Sequence, residues 1–488
     1  MTRFSTLDLG ILVVYTLAVT AFGTWLGRRQ KDARDYFLAD RSIPWWAVCF
    51  SVIATETSVL TFISVPATAY GADLWMLQLA GGYVVGRITV AAVLLPGYFR
   101  GELATAYALL ERRFGPGTRR FASLVFLVTR SLGSSVRLFA SAIPLKLVTG
   151  LPYWQAILLT GVVTLVYTYF GGLRAVVWVD VVQMFVFLFG AAAALFVLLR
   201  TVPGGWSGFV AAAAPAHKLR VIHWTGGFAS AQWVLTGVVG GAFLSMASHG
   251  VDHLIVQRLL AARSLGDARK ALVASGLAVF GLFATFLVIG VGLFAHFHGA
   301  AFAKPDEAFP TFIVRDLPAG LGGLVIAAIF SIAMSSEASA LNSLASVLTH
   351  DLYAPLAGRA GDDEHLMRVG KRFTLLSGAI LVGGAMLFQL ALSGTPMVVI
   401  ALQVASFTYG GLLGGFLLGL LSKDCDGTDA VAGMAVAIAL MALLWAAQQF
   451  GAVRPRVDTL WFTLLGSALT LAAGHASRSL RRRRAAAR

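Results

Sequence analysis

Residues 329–346 read Ile-Phe-Ser-Ile-Ala-Met-Ser-Ser-Glu-Ala-Ser-Ala-Leu-Asn-Ser-Leu-Ala-Ser, and this stretch decides how the chain folds. It lies in an apolar segment long enough to cross a bilayer, yet it carries repeated hydroxyl side chains. On a helix, one face would collect Ser331, Ser335, Ser339, Asn342 and Ser346. Hydroxyl oxygens can hold an alkali cation, or they can bond to the i−4 carbonyl and pack small side chains against a neighbouring helix. The stripe alone leaves both interpretations open.

The composition places the whole chain in a membrane. Its 488 residues are 58% hydrophobic and only 12% charged, and the mean hydropathy is +0.79. Soluble domains carry about 25% charged residues, so we predict an all-α polytopic membrane protein. About thirteen apolar spans of near twenty residues are centred close to residues 17, 57, 87, 134, 162, 190, 240, 284, 332, 382, 409, 437 and 467.

Two other classes of membrane protein are disfavoured by the loops. No hydrophilic stretch is long enough for the output domain that a receptor-like sensor would need. The predicted inside loops carry no His-x-x-x-His, Cys cluster or paired Asp motif, which argues against a membrane enzyme and predicts no catalytic residue. Cys49 and Cys425 are the only cysteines, so no disulfide framework is expected.

The basic residues predict the orientation of the chain. The net charge is +15, and Lys and Arg cluster in alternate loops, at residues 28–41, 100–120, 258–270, 359–372 and 478–488. With the N-terminus outside, about 26 basic residues fall on the inside and about eight on the outside. We therefore expect a multi-pass protein of a bacterial-type inner (cell) membrane with a cytoplasmic C-terminus. The Arg481–Arg484 run then anchors the tail near anionic lipid and is not a nucleic-acid patch.

Two of the spans are predicted to be interrupted. Residues 51–61 place Glu56 among hydroxyl side chains in mid-span, with Pro66 following, and residues 235–249 place glycines and hydroxyls in the middle of another span. Unwound helix centres expose backbone carbonyls and helix ends, which form midplane sites in many transporters. The two spans are five apart, as expected for two five-helix repeats of inverted topology.

Four blocks in this order resemble the sodium:solute symporter family. They are Asp35-Tyr-Phe-Leu-Ala-Asp-Arg-Ser-Ile-Pro-Trp-Trp46, Gly171-Gly-Leu-Arg-Ala-Val-Val-Trp-Val-Asp-Val-Val-Gln183, Ser248-His-Gly-Val-Asp-His-Leu-Ile-Val-Gln-Arg-Leu-Leu-Ala261, and Met334-Ser-Ser-Glu-Ala-Ser-Ala-Leu-Asn-Ser343 with Asp351-Leu-Tyr353. The resemblance implies a leucine-transporter-like fold with a five-plus-five inverted repeat. It divides the chain into an extra N-terminal helix (1–30), a ten-helix transport core (40–422), two C-terminal helices (426–477) and a basic tail (478–488).

The resemblance also implies a sodium site between the first broken helix and the serine-bearing helix. Its ligands would be three backbone carbonyls and two hydroxyls, from Ala54, Thr57, Ile332, Ser335 and Ser336. Five neutral oxygens suit a hard monovalent cation and offer no thiolate or imidazole to a transition metal.

A second sodium site is implied by the match of Asp180 and Ser339 to family positions. Intramembrane carboxylates are usually functional. The alternative is that Asp180 reaches the inner interface or pairs with Arg174. The family pattern also includes Asp252, Gln257 and Arg258, where it suggests an inner gate. The alternative, which we favour slightly, is that these side chains are solvated in an ordinary loop.

The substrate residues are implied by similarity to the sialic acid branch of the family. The matching positions are Ser58, Thr61, Gln78 and Arg137. In that branch, an arginine at the position of Arg137 binds the substrate carboxylate. Glu56 departs from the branch, which prefers an uncharged hydroxyl residue there. It could coordinate, bind a proton, hold a hydroxylated ligand or cap unwound amides. Arg130 could serve packing or pair with an acid.

We therefore expect a sodium-coupled symporter that imports a carboxylated sugar or other organic anion by alternating access and acts as a monomer. A sodium/neutral sugar symporter stays open. The other alternative is a proton-coupled symporter, in which Glu56 or Asp180 binds and releases the proton.

Overall fold

The computed structural model describes residues 5–27, 30–57, 59–101, 103–302, 305–359, 361–390, 396–454 and 456–486. Within these residues the chain is almost wholly helical, and β-type pairing is limited to two isolated bridges, Ile43 with Ala262 and His223 with Trp233. The predicted all-α architecture is confirmed.

Twenty α-helices follow one another along the described chain. The first ten are α1 (Thr6–Leu26), α2 (Ala33–Leu38), α3 (Trp45–Glu56), α4 (Val59–Gly71), α5 (Met76–Thr89), α6 (Leu95–Phe99), α7 (Ala108–Phe114), α8 (Pro116–Thr149), α9 (Tyr153–Thr201) and α10 (Trp206–Ala213). The second ten are α11 (Gly241–Gly250), α12 (His253–Leu260), α13 (Leu265–His296), α14 (Ala308–Arg315), α15 (Leu321–Val347), α16 (Ala354–Leu356), α17 (Asp363–Leu390), α18 (Pro396–Leu421), α19 (Gly427–Gln449) and α20 (Phe462–Ala486).

The helices agree with the predicted positions of the spans. Each predicted centre falls in a helix or, at residue 57, at the junction of α3 and α4. Eight helical stretches of the described chain are each long and apolar enough to cross a membrane. One of them, Met76–Phe99, joins α5 to α6 through a π-helical turn. The bent pair of α3 and α4 makes a ninth. The total of thirteen crossings stays a prediction.

Helix α9 contains two of the predicted spans in one continuous run. Its 49 residues would extend about 74 Å, more than twice the roughly 30 Å hydrocarbon core. The helix is divided at Gly172, whose φ of 53° and ψ of −159° are not helical. A Cβ at Gly172 would also lie 2.6 Å from the carbonyl oxygen of Tyr36, so a glycine is required there. This bend sets the direction of the second half of α9, which carries Asp180.

The first predicted break is present between α3 and α4. Helix α3 ends at Glu56, and Thr57 is extended with φ of −65° and ψ of 127°. The axes on either side of the break differ by 64°. The hydroxyl side chains here compete with the helical ladder, since Thr55 Oγ1 donates a 2.7 Å bond to the Ser51 carbonyl. The break leaves the last carbonyls of α3 without helical partners, as a cation site requires.

The second predicted break is wrong in position. Residues 236–240 form a π-helical turn that continues directly into α11, so the glycine-rich segment is helical and not unwound. The backbone departs from helical geometry only at Val251, with φ of −130° and ψ of −16°, and at Asp252, the N-cap of α12. The glycines allow this segment to pack closely against a neighbouring helix. Here a Cβ at Gly241 would meet the Leu79 carbonyl of α5 at 2.8 Å.

The serine-bearing helix α15 lies at the centre of the molecule. Every residue from Val325 to Val347 is buried. It packs against α9, α8, α1 and α17. Apart from Glu337 and Asn342, the side chains of this stretch are apolar or small, so every face of the helix can pack against surrounding elements.

Helix α1 forms hydrogen bonds with α15 at two positions along its length. Oδ1 of Asp8 accepts hydrogen bonds from the amides of Gly320 (2.7 Å) and Gly323 (2.8 Å), at the first turn of α15. Two turns further along, the Ser331 hydroxyl lies 2.5 Å from the Tyr15 hydroxyl. Asp8 thereby supplies, from another helix, the acceptor that the unpaired amides of a helix N-terminus need.

Candidate functional site

The predicted first sodium site lies where the break after α3 faces α15. Ala54, Thr57 and Ile332 are each 3% exposed, and the Ser336 hydroxyl donates a 3.4 Å bond to the Thr57 carbonyl. The structure therefore brings a predicted hydroxyl ligand together with a predicted carbonyl ligand. Within the described residues no group of three or more His, Cys, Asp and Glu side chains is placed to hold a metal ion. The neutral oxygen donors fit an alkali cation.

Ser335 connects this site to Asp180. Its hydroxyl donates a 2.6 Å bond to Oδ1 of Asp180, and the Ser51 hydroxyl of α3 donates a 2.5 Å bond to Oδ2. Asp180 is fully buried, so the alternative in which it reaches the interface is wrong. Pairing with Arg174 is also wrong, because that guanidinium lies 2.9 Å from Asp35.

The cationic partner of Asp180 is Arg258 of α12. Its guanidinium lies 3.7 Å from Oδ2 of Asp180, donates to Ser51 Oγ at 3.0 Å, and also donates to the Ser339 hydroxyl. Ser339 in turn bonds to the Ser335 carbonyl at 2.6 Å. The two residues predicted for a second sodium are thus held by a guanidinium, and their role in binding sodium stays a prediction.

The preference for a solvated loop at residues 252–258 is wrong. Arg258 is fully buried, and Gln257 donates to the Phe37 carbonyl (2.9 Å) and to Oδ1 of Asn342 (2.7 Å). Asp252 is buried too, in an ion pair with Arg130 and with a 2.6 Å bond from Tyr409. Of the two alternatives for Arg130, the pairing with an acid is therefore correct.

Glu56 carries a counter-charge that sequence reasoning did not identify. The Arg87 guanidinium of α5 forms an ion pair with Oε2 of Glu56 and donates to the Ser275 hydroxyl at 2.7 Å. His249 of α11 lies 3.5 Å from the same carboxylate oxygen. The Glu56 side chain remains 22% exposed, whereas Arg87 is fully buried. Arg87 lies in the middle of a predicted span, and a guanidinium at that depth needs a partner inside the protein. Its position in the sequence could therefore have indicated the pair.

Arg137 lies on α8, half-buried. Among the described residues its guanidinium forms no hydrogen bond and no ion pair, although it interacts electrostatically with Glu337 and Arg130. An arginine of this kind is available to a carboxylate that enters the site.

The remaining predicted substrate residues lie on separate elements. Gln78 is buried and bonds to the loop between α10 and α11, through the carbonyl of Gln232 (2.9 Å) and the amide of His223 (3.3 Å). Thr61 is half-buried on α4, and Ser58 lies outside the described residues. Within the described chain no hydrogen bond or ion pair joins Arg137 to Glu56 or Gln78, so one shared substrate site stays a prediction.

Comparison with solved structures supports the fold. The chain superimposes on the structure titled "Substrate-bound outward-open state of a Na+-coupled sialic acid symporter reveals a novel Na+-site", with a TM-score of 0.86, 28% identity and 98% of each chain covered. It also matches the closed conformation of Mhp1, a nucleobase-cation-symport-1 family transporter, with a TM-score of 0.60 over 91% of this chain and 94% of the other. That identity is 15%, so this second match shows the fold alone. The leucine-transporter-like architecture is confirmed.

Comparison with characterised proteins identifies the family. The chain is 29% identical over 455 residues to the sodium/sialic acid symporter NanT of Aliivibrio fischeri, covering 91% of this chain and 88% of the relative. It is 28% identical to the sodium/sialic acid symporter SiaT of Proteus mirabilis (89% and 88%) and 29% identical to the human sodium/iodide cotransporter (91% and 70%). The family model described as "Sodium:solute symporter family" matches residues 36–437. The protein belongs to the sodium:solute symporter family.

Proposed function

We propose that this symporter imports a carboxylated sugar of the sialic acid type, with Arg137 binding the substrate carboxylate. As a family member it is a multi-pass membrane transporter and not an enzyme, and sodium is its coupling ion. The substrate class is supported by the two relatives that are named sialic acid symporters and share 28–29% of their residues with this chain over about nine-tenths of its length.

The half-buried guanidinium of Arg137 is the observation that carries the proposal. A permanent cation in a membrane bundle is costly unless something neutralises it, and its planar fork matches a carboxylate in a bidentate manner. Glu56 does not oppose this reading, because the Arg87 ion pair balances its negative charge. The exposed part of the Glu56 carboxylate can then accept hydrogen bonds from the hydroxyls of a sugar.

The proposed sodium ligands are the oxygens described above. The first site uses the carbonyls of Ala54, Thr57 and Ile332 with the hydroxyls of Ser335 and Ser336. A second sodium would bind at Asp180 and Ser339, where its charge would compete with the Arg258 guanidinium for one carboxylate.

The proposed cycle is alternating access. Sodium from the outside draws the broken end of α3 against α15, which completes the substrate site, and both ligands leave toward the cytoplasm. We assign transport to residues 40–422 and place α1, α19 and α20 outside this core. We also propose a monomer in a bacterial inner membrane, with the N-terminus outside and the C-terminus in the cytoplasm.

Counterflow in proteoliposomes tests the proposal. Radiolabelled N-acetylneuraminic acid, galactose and lactate are compared with and without a sodium gradient, at two pH values. Sodium-dependent counterflow of N-acetylneuraminic acid, lost in Arg137→Ala and kept in Arg368→Ala at the exposed α17 surface, is the expected result. Normal transport of that substrate by Arg137→Ala would overturn the carboxylate role. Counterflow of galactose alone would identify a neutral sugar symporter, and sodium-independent uptake with a steep pH dependence would identify proton coupling.

A further inference from the structure

A groove runs along the exposed side of α1, where this helix meets α9 and α15. Its volume is about 580 Å³, within the range of roughly 300–1,000 Å³ for ligand pockets in proteins. The floor consists of buried side chains from α1, α8 and α15, namely Leu12, Leu145 and Phe330. The rim includes Leu9, Val13 and Leu159, which are 43–48% exposed. Because exposed apolar side chains of a membrane transporter face lipid, the groove opens sideways into the bilayer.

The side chains that line the groove suit an apolar ligand. Ser5, Thr6 and Thr16 are its polar lining residues, and the others that the structure describes are leucine, valine and phenylalanine. The Ser5 hydroxyl donates to Oδ2 of Asp8 at 2.7 Å, and Oγ1 of Thr16 donates to the Leu12 carbonyl at 2.8 Å. Thr6 lies in the first turn of α1, at the end of the groove. The groove therefore asks for no polar partner along its length, and an apolar cavity does not hold ordered water.

The length of the groove matches one leaflet of a bilayer. Along α1 the lining extends from Ser5 to Leu17, which corresponds to about 18 Å of helix, and half of the hydrocarbon core is roughly 15 Å thick. Phe330 follows Leu321, the first residue of α15, at a distance of about 14 Å along the helix axis. The hydroxyls of Ser5 and Thr6 therefore mark the end at the membrane surface, and Leu17 and Phe330 mark the end near the midplane. A phospholipid acyl chain has the same polarity, with its ester at the surface and its methyl group at the midplane.

We propose that this groove is a binding site for one acyl chain of a membrane phospholipid. The groove is continuous with the lipid-facing surface, since Val14 and Val162 beside it are 67% and 51% exposed. A chain therefore enters from the bilayer without crossing water. Inside the groove it contacts Phe330, which precedes Ser331, and the Ser331 hydroxyl lies 2.5 Å from the Tyr15 hydroxyl of α1. The bound chain packs against α1 and α15 at the level of this hydrogen bond and strengthens the contact between the two helices.

Photo-crosslinking of the full-length protein in lipid nanodiscs tests the proposal. The probe is a phosphatidylethanolamine with a diazirine on one acyl chain, placed either near the ester or near the methyl end, and adducts are located by mass spectrometry. The methyl-end probe should label Phe330 and Leu17, and the ester-end probe should label Leu9. Val163→Trp narrows the groove from α9 and should reduce the labelling of Phe330 at least tenfold. Val162→Trp, one residue away and outside the lining of the groove, should be labelled like the unmodified protein.

Two results would overturn the acyl-chain site: no adduct on Phe330 or Leu12, or equal labelling of Phe330 in Val163→Trp. Both floor residues are buried from lipid at the outer surface, so labelling of the surface alone does not reach them. Cross-links between the α1 helices of two copies, in place of lipid adducts on the floor, would assign the groove to a second copy of the chain and also overturn the site. If Val163→Trp fails to fold, Val13→Trp narrows the groove from α1, and Val14→Trp is its control. Lipid labelling requires no substrate, so its outcome is independent of the proposed function.

Discussion

Ser335 and Asp180 join the two proposed cation sites, because the Ser335 hydroxyl donates a 2.6 Å hydrogen bond to Oδ1 of Asp180. A change at Asp180 should therefore affect both sites. In Asp180→Asn, the sodium concentration for half-maximal uptake should rise about tenfold or more, equivalent to at least ~1.4 kcal/mol. The Hill coefficient for sodium should fall toward one. The measurement is initial uptake in proteoliposomes against sodium concentration.

Asp362→Asn is the control for this substitution, since Asp362 is 41% exposed and pairs with Arg359 at the surface. Unchanged sodium affinity together with unchanged stoichiometry in Asp180→Asn would eliminate the second site.

Ser336→Ala should weaken sodium binding because it removes a proposed hydroxyl ligand that already contacts the Thr57 carbonyl. We expect an increase of about tenfold in the half-saturating sodium concentration, with substrate binding at saturating sodium little changed. Ser343→Ala, on the same helix, is the control, because among the described residues the Ser343 hydroxyl bonds only within α15, to the Ala340 carbonyl at 3.1 Å. Equal sodium titrations for the two variants would show that Ser336 is a packing residue.

The Glu56–Arg87 pair should behave as a buried ion pair. Arg87→Met leaves the Glu56 carboxylate without its neutralising charge, at an expected cost of about 3–5 kcal/mol in stability. The double variant Glu56→Gln/Arg87→Met should regain most of that loss, because no unpaired charge remains. Thermal melting of the purified protein in detergent measures both. Strictly additive effects of the two single substitutions would refute the pairing.

Gly172→Ala should destabilise the protein by roughly 1–3 kcal/mol, because a positive φ is unfavourable for alanine. The added Cβ would also meet the Tyr36 carbonyl at 2.6 Å. Gly281→Ala in α13 is the matched control, since a Cβ at that position would meet no neighbouring atom of the described chain within 4 Å. A melting temperature of Gly172→Ala equal to that of the control would show that the bend in α9 tolerates a side chain.

Much of the fold could be predicted from the sequence, because the bilayer imposes simple rules on length and polarity. The break at Thr57 was visible as a polar cluster in mid-span. The prediction of an unwound segment near Gly240 was wrong, since the same residues that permit unwinding also permit close helix packing. The partners of Glu56 and Asp180 were not predicted for another reason. Arg87 and Arg258 meet them across helices, and such contacts depend on how each helix is rotated about its axis, which hydropathy does not reveal.

The fastening of α1 to α15 through Asp8 and Tyr15 changes how the N-terminal helix should be regarded. Because Asp8 of α1 accepts hydrogen bonds from the first turn of α15, we expect the two helices to move together, and with them the serines proposed to bind sodium. Trimming or fusing tags close to residue 5 would therefore disturb the ion site over a distance of several helical turns. Recombinant forms that keep the first helix free of such additions are the ones in which sodium affinity is expected to reflect the native protein.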